Sequence, residues 1–255
     1  MKRWPALYKL VVKIYSNLSL YLLAEHIIGT KAREKEWATR HRRKGSDWGY
    51  IQHPRKEDEW VMSYWDSRNH SHRSFFIEKI SAFYPFSNIL EIGCNCGPNL
   101  YLLAKKFPGI EIVGIDINPG AIQKGNELFA QEGISNVKLS VAKADELEQF
   151  QDKSFDIVFT DAILIYIGRD KIQRIVKEMV RIARKGLILM ERHCFEPNKD
   201  RHGLGIRRNG LWERDYMALL AQFVPDEEIH LSKITEDMWP DPGWQETGAV
   251  IEVAL

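Results

Sequence analysis

The sequence of 255 residues predicts an α/β fold in which a mostly parallel sheet is flanked by helices. Asn88 to Ile92 is a short apolar run suited to a buried strand. It leads into a turn that contains Gly93 and Gly97, and an apolar, helix-spaced segment begins at Leu100. Further strand-like and helix-like segments alternate along the chain. This alternation is typical of parallel strands joined by helical crossovers.

The remaining elements follow from apolar periodicity and from turn and capping residues. The expected strands after the first are residues 112–115, 137–141, 156–159, 186–190, 228–234 and 249–254. The expected helices are residues 59–68, 74–83, 118–131, 171–184 and 212–223. Residues 192–210 are predicted to be a long polar loop, and loops of that length often form substrate walls.

The turn after the first strand predicts a ligand site at the carboxyl edge of the sheet. A strand that turns directly into a helix presents backbone N–H donors there. Asn95 stands between the two glycines, and asparagine tolerates a positive φ. Glu91 precedes the turn and is suited to a cationic or amine-bearing ligand, whereas a pyrophosphate would be repelled. Asp116 ends the second strand about 20 residues later, where an acid binds ribose hydroxyls. S-adenosylmethionine has ribose and lacks phosphates.

Four segments in order, LEIGCNCGPNL, GIDINPGAI, KADEL and FDIVFTDAILIYI, resemble the successive motifs of class I S-adenosylmethionine-dependent methyltransferases. The resemblance covers about residues 75–189. It implies a Rossmann-like sheet of about seven strands with one antiparallel strand. It also implies S-adenosylmethionine as cofactor and S-adenosylhomocysteine as product. The turn and the later LIYI segment are reminiscent of small-molecule and sugar-modifying members.

The resemblance also implies roles for individual residues. Arg68 is suited to pair with the methionine carboxylate of the cofactor, and Asp145 is expected near the adenine amino group. The full set of expected cofactor-binding residues is Arg68, Glu91, Gly93, Cys94, Asn95, Gly97, Asp116, Ile117, Asp145 and Thr160. His193 is the leading candidate for a catalytic base because its ordinary pKa is nearest neutrality, and Asp161 is a second candidate. No metal site is predicted, since His70-x-His72 has no further ligands at a recognisable spacing.

Charge divides the chain into two predicted regions, a helical extension (1–58) and a methyltransferase domain (59–255). Residues 1–56 carry 13 Lys or Arg and four Asp or Glu, a net charge of +9, although the whole chain has +1. Residues 4–28 predict an amphipathic helix, and residues 31–44 predict a solvated one. The basic extension either faces an anionic partner or docks on its own acidic domain. Its first helix caps the fold, lies on a membrane surface or dimerises. We expect residues 1 to about 44 of the extension to control access of the acceptor, not cofactor binding. The oligomeric state is left open.

Three functions remain open from the sequence. The first is methyl transfer to an oxygen or nitrogen of a small-molecule, glycan or lipid-linked acceptor. The second is methylation of RNA or protein with help from the basic extension, with nucleic acid the less favoured partner. The third is a cofactor-binding partner protein without turnover. The three cysteines form no disulfide framework, so a reducing, cytoplasmic setting is expected, with the membrane periphery as the alternative.

Overall fold

The computed structural model describes residue 30 and residues 33–40, 59–196, 199–208 and 210–255. The amphipathic helix predicted over residues 4–28 lies outside the described residues, as does most of the basic run near residues 40–44. Within the described ranges, no helix combines the length and apolarity needed to cross a membrane.

A seven-stranded sheet forms the centre of the molecule. The strands in chain order are β1 (Asn88–Ile92), β2 (Glu111–Asp116), β3 (Val137–Val141), β4 (Phe155–Asp161), β5 (Ala183–Arg192), β6 (Ile206–Arg208), β7 (Leu211–Glu213), β8 (Ile229–Lys233) and β9 (Gly248–Ala254). The sheet order is β3-β2-β1-β4-β5-β9-β8, and β6 pairs only with β7. Strands β1 to β5 are parallel, while β9 runs antiparallel to both of its neighbours. The predicted fold class is therefore confirmed.

Helices cover both faces of this sheet. They are α1 (Glu59–Asp66), α2 (Ser71–Ser81), α3 (Pro98–Lys106), α4 (Pro119–Gln131), α5 (Arg169–Ile182), α6 (Tyr216–Leu220) and α7 (Pro242–Thr247). Two apolar clusters, one on each face, form the core. The apolar side chains of α5 recur at helical spacing and are fully buried, which fixes this helix on the sheet.

The strand order places the site. From β1 the chain moves outward to β2 and β3, and it then returns to the other side of β1 at β4. The crevice outside the carboxyl ends of β1 and β4 lies at this reversal, which is where open α/β sheets bind ligands. The segments after β1, β2 and β4 meet there.

The predicted helix over residues 212–223 is wrong in its first part. Leu211–Glu213 is strand β7, and only Tyr216–Leu220 is helical. Gly210, at φ +84°, makes the turn that pairs β7 with β6. The apolar content of this segment is therefore explained by a buried hairpin strand followed by a short helix.

Residues 33–38 are helical but are not a solvated face as the charge pattern predicts. Thr30 Oγ1 donates to Asp170 Oδ1 at 2.7 Å, and Arg33 donates to the Gly210 carbonyl at 3.1 Å. The Trp37 carbonyl accepts from the side chain of Asn118 at 2.7 Å. These contacts pack the segment against the sheet domain.

Candidate active site

A cavity of about 440 Å³ lies at the carboxyl edge of the sheet. This volume is in the range of small-molecule sites. Its wall is formed by the segments that follow β1, β2, β3 and β4, by α1, by the start of α2, and by the 33–38 helix. The predicted site residues Gly93, Asn95, Asp116, Ile117, Asp145 and Asp161 are brought together on this wall.

The turn after β1 has the backbone conformation that its residues allow. Gly93 and Gly97 have φ of +80° and +85°, and Asn95 has φ +52°. A Cβ atom at Gly93 would lie 2.6 Å from the Ile163 side chain. The backbone N–H groups of Gly93 and Cys94 both donate to the Ile115 carbonyl, at 2.7 and 3.0 Å. The turn is therefore tied to β2 and has no room for a larger residue at Gly93.

Asp116 connects the same turn to the end of β2. Its Oδ2 accepts from the Asn95 N–H at 2.8 Å, and its Oδ1 accepts from the Asn118 N–H at 2.8 Å. Burial raises the pKa of Asp116 to about 6, although the two N–H groups act in the opposite direction. The carboxylate is half-buried and lines the cavity beside Ile117.

Glu91 and Asp161 form a buried polar cluster through Asn99. The Asn99 side-chain N–H group donates to Glu91 Oε1 at 2.8 Å and to Asp161 Oδ2 at 3.0 Å. Burial raises the pKa of Glu91 to about 8. Glu91 Oε2 and Asp161 Oδ1 are buried and have no hydrogen-bond partner among the described residues. Glu91 lies beneath the cavity wall, whereas Asp161 is part of the wall.

Arg33 and Arg73 both line the cavity, whereas Arg68, the arginine expected there from the sequence, does not. Arg68 stacks on the rings of Trp65 and Tyr101, at 4.0 and 4.7 Å from their centroids, outside the cavity. Arg73 Nη1 donates to Asn99 Oδ1 at 2.8 Å and to Asp161 Oδ2 at 3.1 Å. Arg73 lies in the first turn of α2 and faces the sheet edge. Its place at the start of this helix is the feature of the sequence that could have indicated its role.

Two histidines complete this end of the wall. The Nδ1 atoms of His70 and His72 are 2.6 Å apart, and His72 Nε2 is 3.4 Å from Asp161 Oδ2. The His72 ring stacks on Trp239, with 3.9 Å between centroids. Burial opposes the charge on Asp161, but His72 and Arg73 hold the pKa of that carboxyl below its usual range. The sequence pattern of His70 and His72 bears only on a metal site and does not predict this arrangement.

Four aromatic side chains line the wall between the 33–38 helix and the segment after β4: Trp37, Trp60, Tyr64 and Tyr166. The rings of Trp37 and Tyr166 are 4.7 Å apart, and those of Trp37 and Trp60 are 6.1 Å apart. The indole Nε1 atoms of Trp37 and Trp60 are buried without a partner in the described part of the chain. This part of the cavity is thus lined by aromatic rings, and the two indole N–H groups are buried in its wall.

His193 does not line the cavity. Its Nδ1 accepts from the Tyr216 N–H at 3.3 Å, its ring is buried, and burial lowers its pKa. The long loop predicted after residue 192 does not bring it to the site, because His193 forms a bridge with Arg214 beyond the end of β5. These contacts give His193 a structural role, and we therefore correct its assignment as the base.

Four other expected residues have neighbours within the fold. The Thr160 hydroxyl is fully buried and donates to Glu191 Oε1 at 2.8 Å. Cys94 is buried beneath the turn, and Gly97 packs against the ring of Phe129. None of these three lines the cavity. Asp145 does line it, but it forms ion pairs with Lys171 and Arg174 of α5, at 2.7 and 3.0 Å. Burial opposes ionisation of Asp145, yet Lys171 and Arg174 lower its pKa.

The architecture and the chemistry of the turn agree with comparisons to known proteins. Residues 89–186 match the family described as methyltransferase domain. An uncharacterised protein of Haemophilus influenzae is 32% identical over 152 residues, 59% of this chain and 54% of that protein. Tocopherol O-methyltransferase of Arabidopsis thaliana is 35% identical over 99 residues, 38% of this chain and 27% of that protein.

The same architecture is found in the N-terminal domain of EvdMO1, solved with SAH and D-fucose. That domain superposes with a TM-score of 0.55 over 88% of this chain and 94% of its own, at 16% sequence identity. The chain spans about half or less of the length of these curated relatives. The family match covers the segment that contains the glycine turn, Asp116 and β4. The family match over residues 89–186 and the shared fold together support a class I S-adenosylmethionine-dependent methyltransferase domain in this chain.

Proposed function

We propose that this chain is an enzyme that transfers a methyl group from S-adenosylmethionine to an oxygen or nitrogen of a small-molecule acceptor. One observation carries the proposal: a single cavity joins the glycine turn, unpartnered carboxylate oxygen and an aromatic wall. A cofactor and an acceptor that share one cavity can be held in reacting geometry, which is the main requirement of a displacement at carbon.

The residues present fit the cofactor. Gly93 lies in the cavity wall without a side chain, so the backbone of the turn is open to the cofactor beside Ile163. Asp116 is suited to the ribose, and Arg73 to the methionine carboxylate. The buried Oδ1 of Asp161, whose carboxyl is kept ionised, favours a positively charged ligand. Ile117 and Asp145 lie on the wall where an adenine would rest. When bound, the cofactor supplies the methyl group on a cationic sulfur.

The acceptor end favours an apolar ring that bears a polar atom. Trp37, Trp60 and Tyr166 provide flat apolar surfaces, while the two indole N–H groups favour a ligand with hydrogen-bond acceptors. The relation to a tocopherol O-methyltransferase supports a small-molecule acceptor. Glycan and lipid-linked acceptors, and an RNA or protein acceptor recruited by the basic extension, stay predictions, as does a protein without turnover.

The test has a binding part and a transfer part. Titration calorimetry of the full chain is expected to give micromolar to submillimolar affinity for S-adenosylmethionine. Methyl-labelled cofactor is then incubated with a phenol, a sterol, an amine, a monosaccharide, total RNA and a denatured protein mixture. We expect label in a small molecule. A folded chain that does not bind the cofactor, or label found only in RNA or protein, would contradict the proposal.

A further inference from the structure

We propose that Glu191 and Arg214 are positioning residues that hold the segment after β4, residues 162–167, in the conformation that binds the cofactor, an inference that rests on the proposed function and extends it. Neither side chain has any exposed surface, and neither lines the cavity. Both act on the site through the 162–167 segment, four of whose residues belong to the cavity wall: Ala162, Ile163, Tyr166 and Ile167.

The Glu191 carboxyl binds the beginning of this segment. Its Oε1 accepts from the N–H groups of Ile163 and Leu164, at 3.2 and 3.0 Å, and its Oε2 accepts from the Ile165 N–H at 3.2 Å. A short 3-10 helix, Leu164–Tyr166, begins here. The first N–H groups of a helix have no partner within it. One carboxyl group on β5 therefore pairs three consecutive N–H groups at the start of this helix.

The Arg214 guanidinium binds carbonyl groups of the same segment. Its Nη1 donates to the Leu164 carbonyl at 2.7 Å, and its Nη2 donates to the Ile167 carbonyl. The planar fork of the guanidinium allows one side chain to reach two carbonyls that are three residues apart. The backbone of Arg214 is itself fixed, because its N–H donates to the Arg192 carbonyl and its carbonyl accepts from the Cys194 N–H, at 3.1 and 2.8 Å.

The segment requires such anchors because it begins in an unfavourable backbone conformation. Ala162 has φ +56°, in the left-handed region that an alanine rarely adopts, since its Cβ then crowds the following carbonyl oxygen. The Ala162 N–H donates to the Met190 carbonyl at 2.9 Å, which fixes only one side of the residue. The bonds that Glu191 and Arg214 make to the following residues offset the cost of this conformation. When they are weakened, the backbone at Ala162 should return to an ordinary region.

The conformation of Ala162 determines how the cavity wall is assembled. A Cβ atom at Gly93 would lie 2.6 Å from the Ile163 side chain, so Ile163 packs directly on the glycine turn. The Tyr166 ring lies 4.7 Å from the Trp37 ring. A rotation of the backbone at Ala162 would move Ile163 and Tyr166 relative to the turn. The cofactor would then bind only the fraction of molecules in which the segment is in place.

Four variants separate this role from a general effect on folding. Glu191→Gln replaces one of the two accepting oxygens by an amide nitrogen, and Arg214→Lys keeps the charge but removes the fork. Ala162→Gly removes the cost of the left-handed conformation. Lys153→Gly is the matched control, because Lys153 also has a positive φ, +52°, but is exposed and lies outside the cavity wall. Burial raises the pKa of Glu191 to about 7, so all measurements are made at pH 8, where this carboxyl is ionised.

The first measurement needs no ligand. In the full chain labelled with ¹³C,¹⁵N-alanine, we expect a strong NMR cross-peak between the amide hydrogen and the Hα of Ala162, because these two hydrogens lie closest at positive φ. Glu191→Gln and Arg214→Lys should weaken this cross-peak, while Lys153→Gly should leave it unchanged. A cross-peak that is equally strong in both anchor variants would overturn the proposal.

The second measurement is calorimetry with S-adenosylhomocysteine. Glu191→Gln should weaken binding by about 5- to 30-fold, the ratio of populations expected when an alanine leaves the left-handed region. In a chain that already carries Ala162→Gly, the same substitution should weaken binding by no more than about threefold, because glycine adopts both regions with similar ease. Lys153→Gly should raise the thermal midpoint of the Glu191→Gln chain without restoring its affinity. If Glu191→Gln does not fold, Arg214→Lys serves in the same comparison.

Two outcomes of the calorimetry would overturn the proposal. One is an equal loss of affinity with alanine and with glycine at position 162, and the other is a recovery with Lys153→Gly as large as that with Ala162→Gly. In either case the effect of the anchors would not pass through the conformation of Ala162. A wild-type chain that shows the expected NMR cross-peak but does not bind S-adenosylhomocysteine contradicts the proposed function instead.

Discussion

Arg73 and Asp161 form an ion pair within the cavity wall, with 3.1 Å between Nη1 and Oδ2. Both side chains are almost fully buried, at 6% and 7% exposure. A buried pair of this kind is costly to break, because the remaining partner is left as an uncompensated charge. The pair joins the start of α2 to the end of β4, and Asn99 bonds to both of its members.

The first prediction concerns this arginine. Arg73→Met is expected to lower the free energy of unfolding by about 3–5 kcal/mol, because Asp161 and Asn99 lose their shared donor. It should also weaken binding of S-adenosylhomocysteine, measured by calorimetry. Arg68→Met is the matched control, since it removes only stacking on Trp65 and Tyr101, worth about 0.5–1 kcal/mol. Equal loss of cofactor affinity in both variants would show that Arg73 has no special part in the site.

Most of the sheet could be predicted because buried parallel strands are short apolar runs between turn residues. The predicted bounds of β1 and β3 match those observed, and β2, β4 and β5 differ by only a few residues at their ends. The backbone conformation of the turn after β1 could also be predicted, since at Gly93 and Asn95 it depends on the local residue type. The positive φ of Asn95 is an example.

Residues whose roles depend on where their side chains point are harder to predict from the sequence. A 3-10 segment, Ser67–Asn69, separates α1 from α2, and it turns Arg68 away from the cavity while Arg73 faces it. No periodic pattern predicts such a break. The position of His193 is hard to predict for a related reason, because the sequence does not reveal that β5 extends to Arg192 and carries the next residue into a buried bridge. Tertiary contacts determine where the side chains of Arg68, Arg73 and His193 lie.

The second prediction concerns the approach of Gly93 to Ile163. Gly93→Ala should weaken cofactor binding by at least tenfold, because its Cβ would lie 2.6–2.9 Å from three atoms of Ile163 and φ is +80°. Adding Ile163→Ala should restore part of the affinity if the clash dominates. An unchanged affinity in Gly93→Ala, measured by calorimetry, would mean that the turn does not contact the cofactor.

The third prediction concerns the 33–38 helix, which the charge pattern had assigned to acceptor access alone. Trp37 lines the cavity 4.7 Å from Tyr166, and its carbonyl bonds to Asn118 beside Asp116. Trp37→Ala is therefore expected to weaken binding of S-adenosylhomocysteine by roughly 2- to 10-fold, the worth of an aromatic contact. Trp37→Phe keeps the ring and should lose less. Full affinity in Trp37→Ala would mean that the 33–38 helix does not contribute to cofactor binding, as the charge pattern predicts for the extension.

The last prediction is a pH dependence of stability that originates at Glu91. Burial raises its pKa to about 8, so the folded chain holds this proton at pH 7 whereas the unfolded chain releases it near the ordinary glutamate value. Folding stability must then fall as pH rises between about 4.5 and 8. Asp116 and Glu191, with pKa values raised to about 6 and about 7, contribute in the same direction.

Glu91→Gln removes one of these three contributions and keeps the hydrogen bond that the carbonyl oxygen accepts from Asn99. Thermal midpoints of the wild type and the variant are to be compared at pH 5 and pH 8 without cofactor. At pH 5 the two chains should differ little, because both side chains are uncharged. At pH 8 the variant should melt several degrees higher, since 1 kcal/mol corresponds to about 2–4 °C in a domain of this size. A difference between the chains that is the same at both pH values would mean that Glu91 is ionised in the folded state.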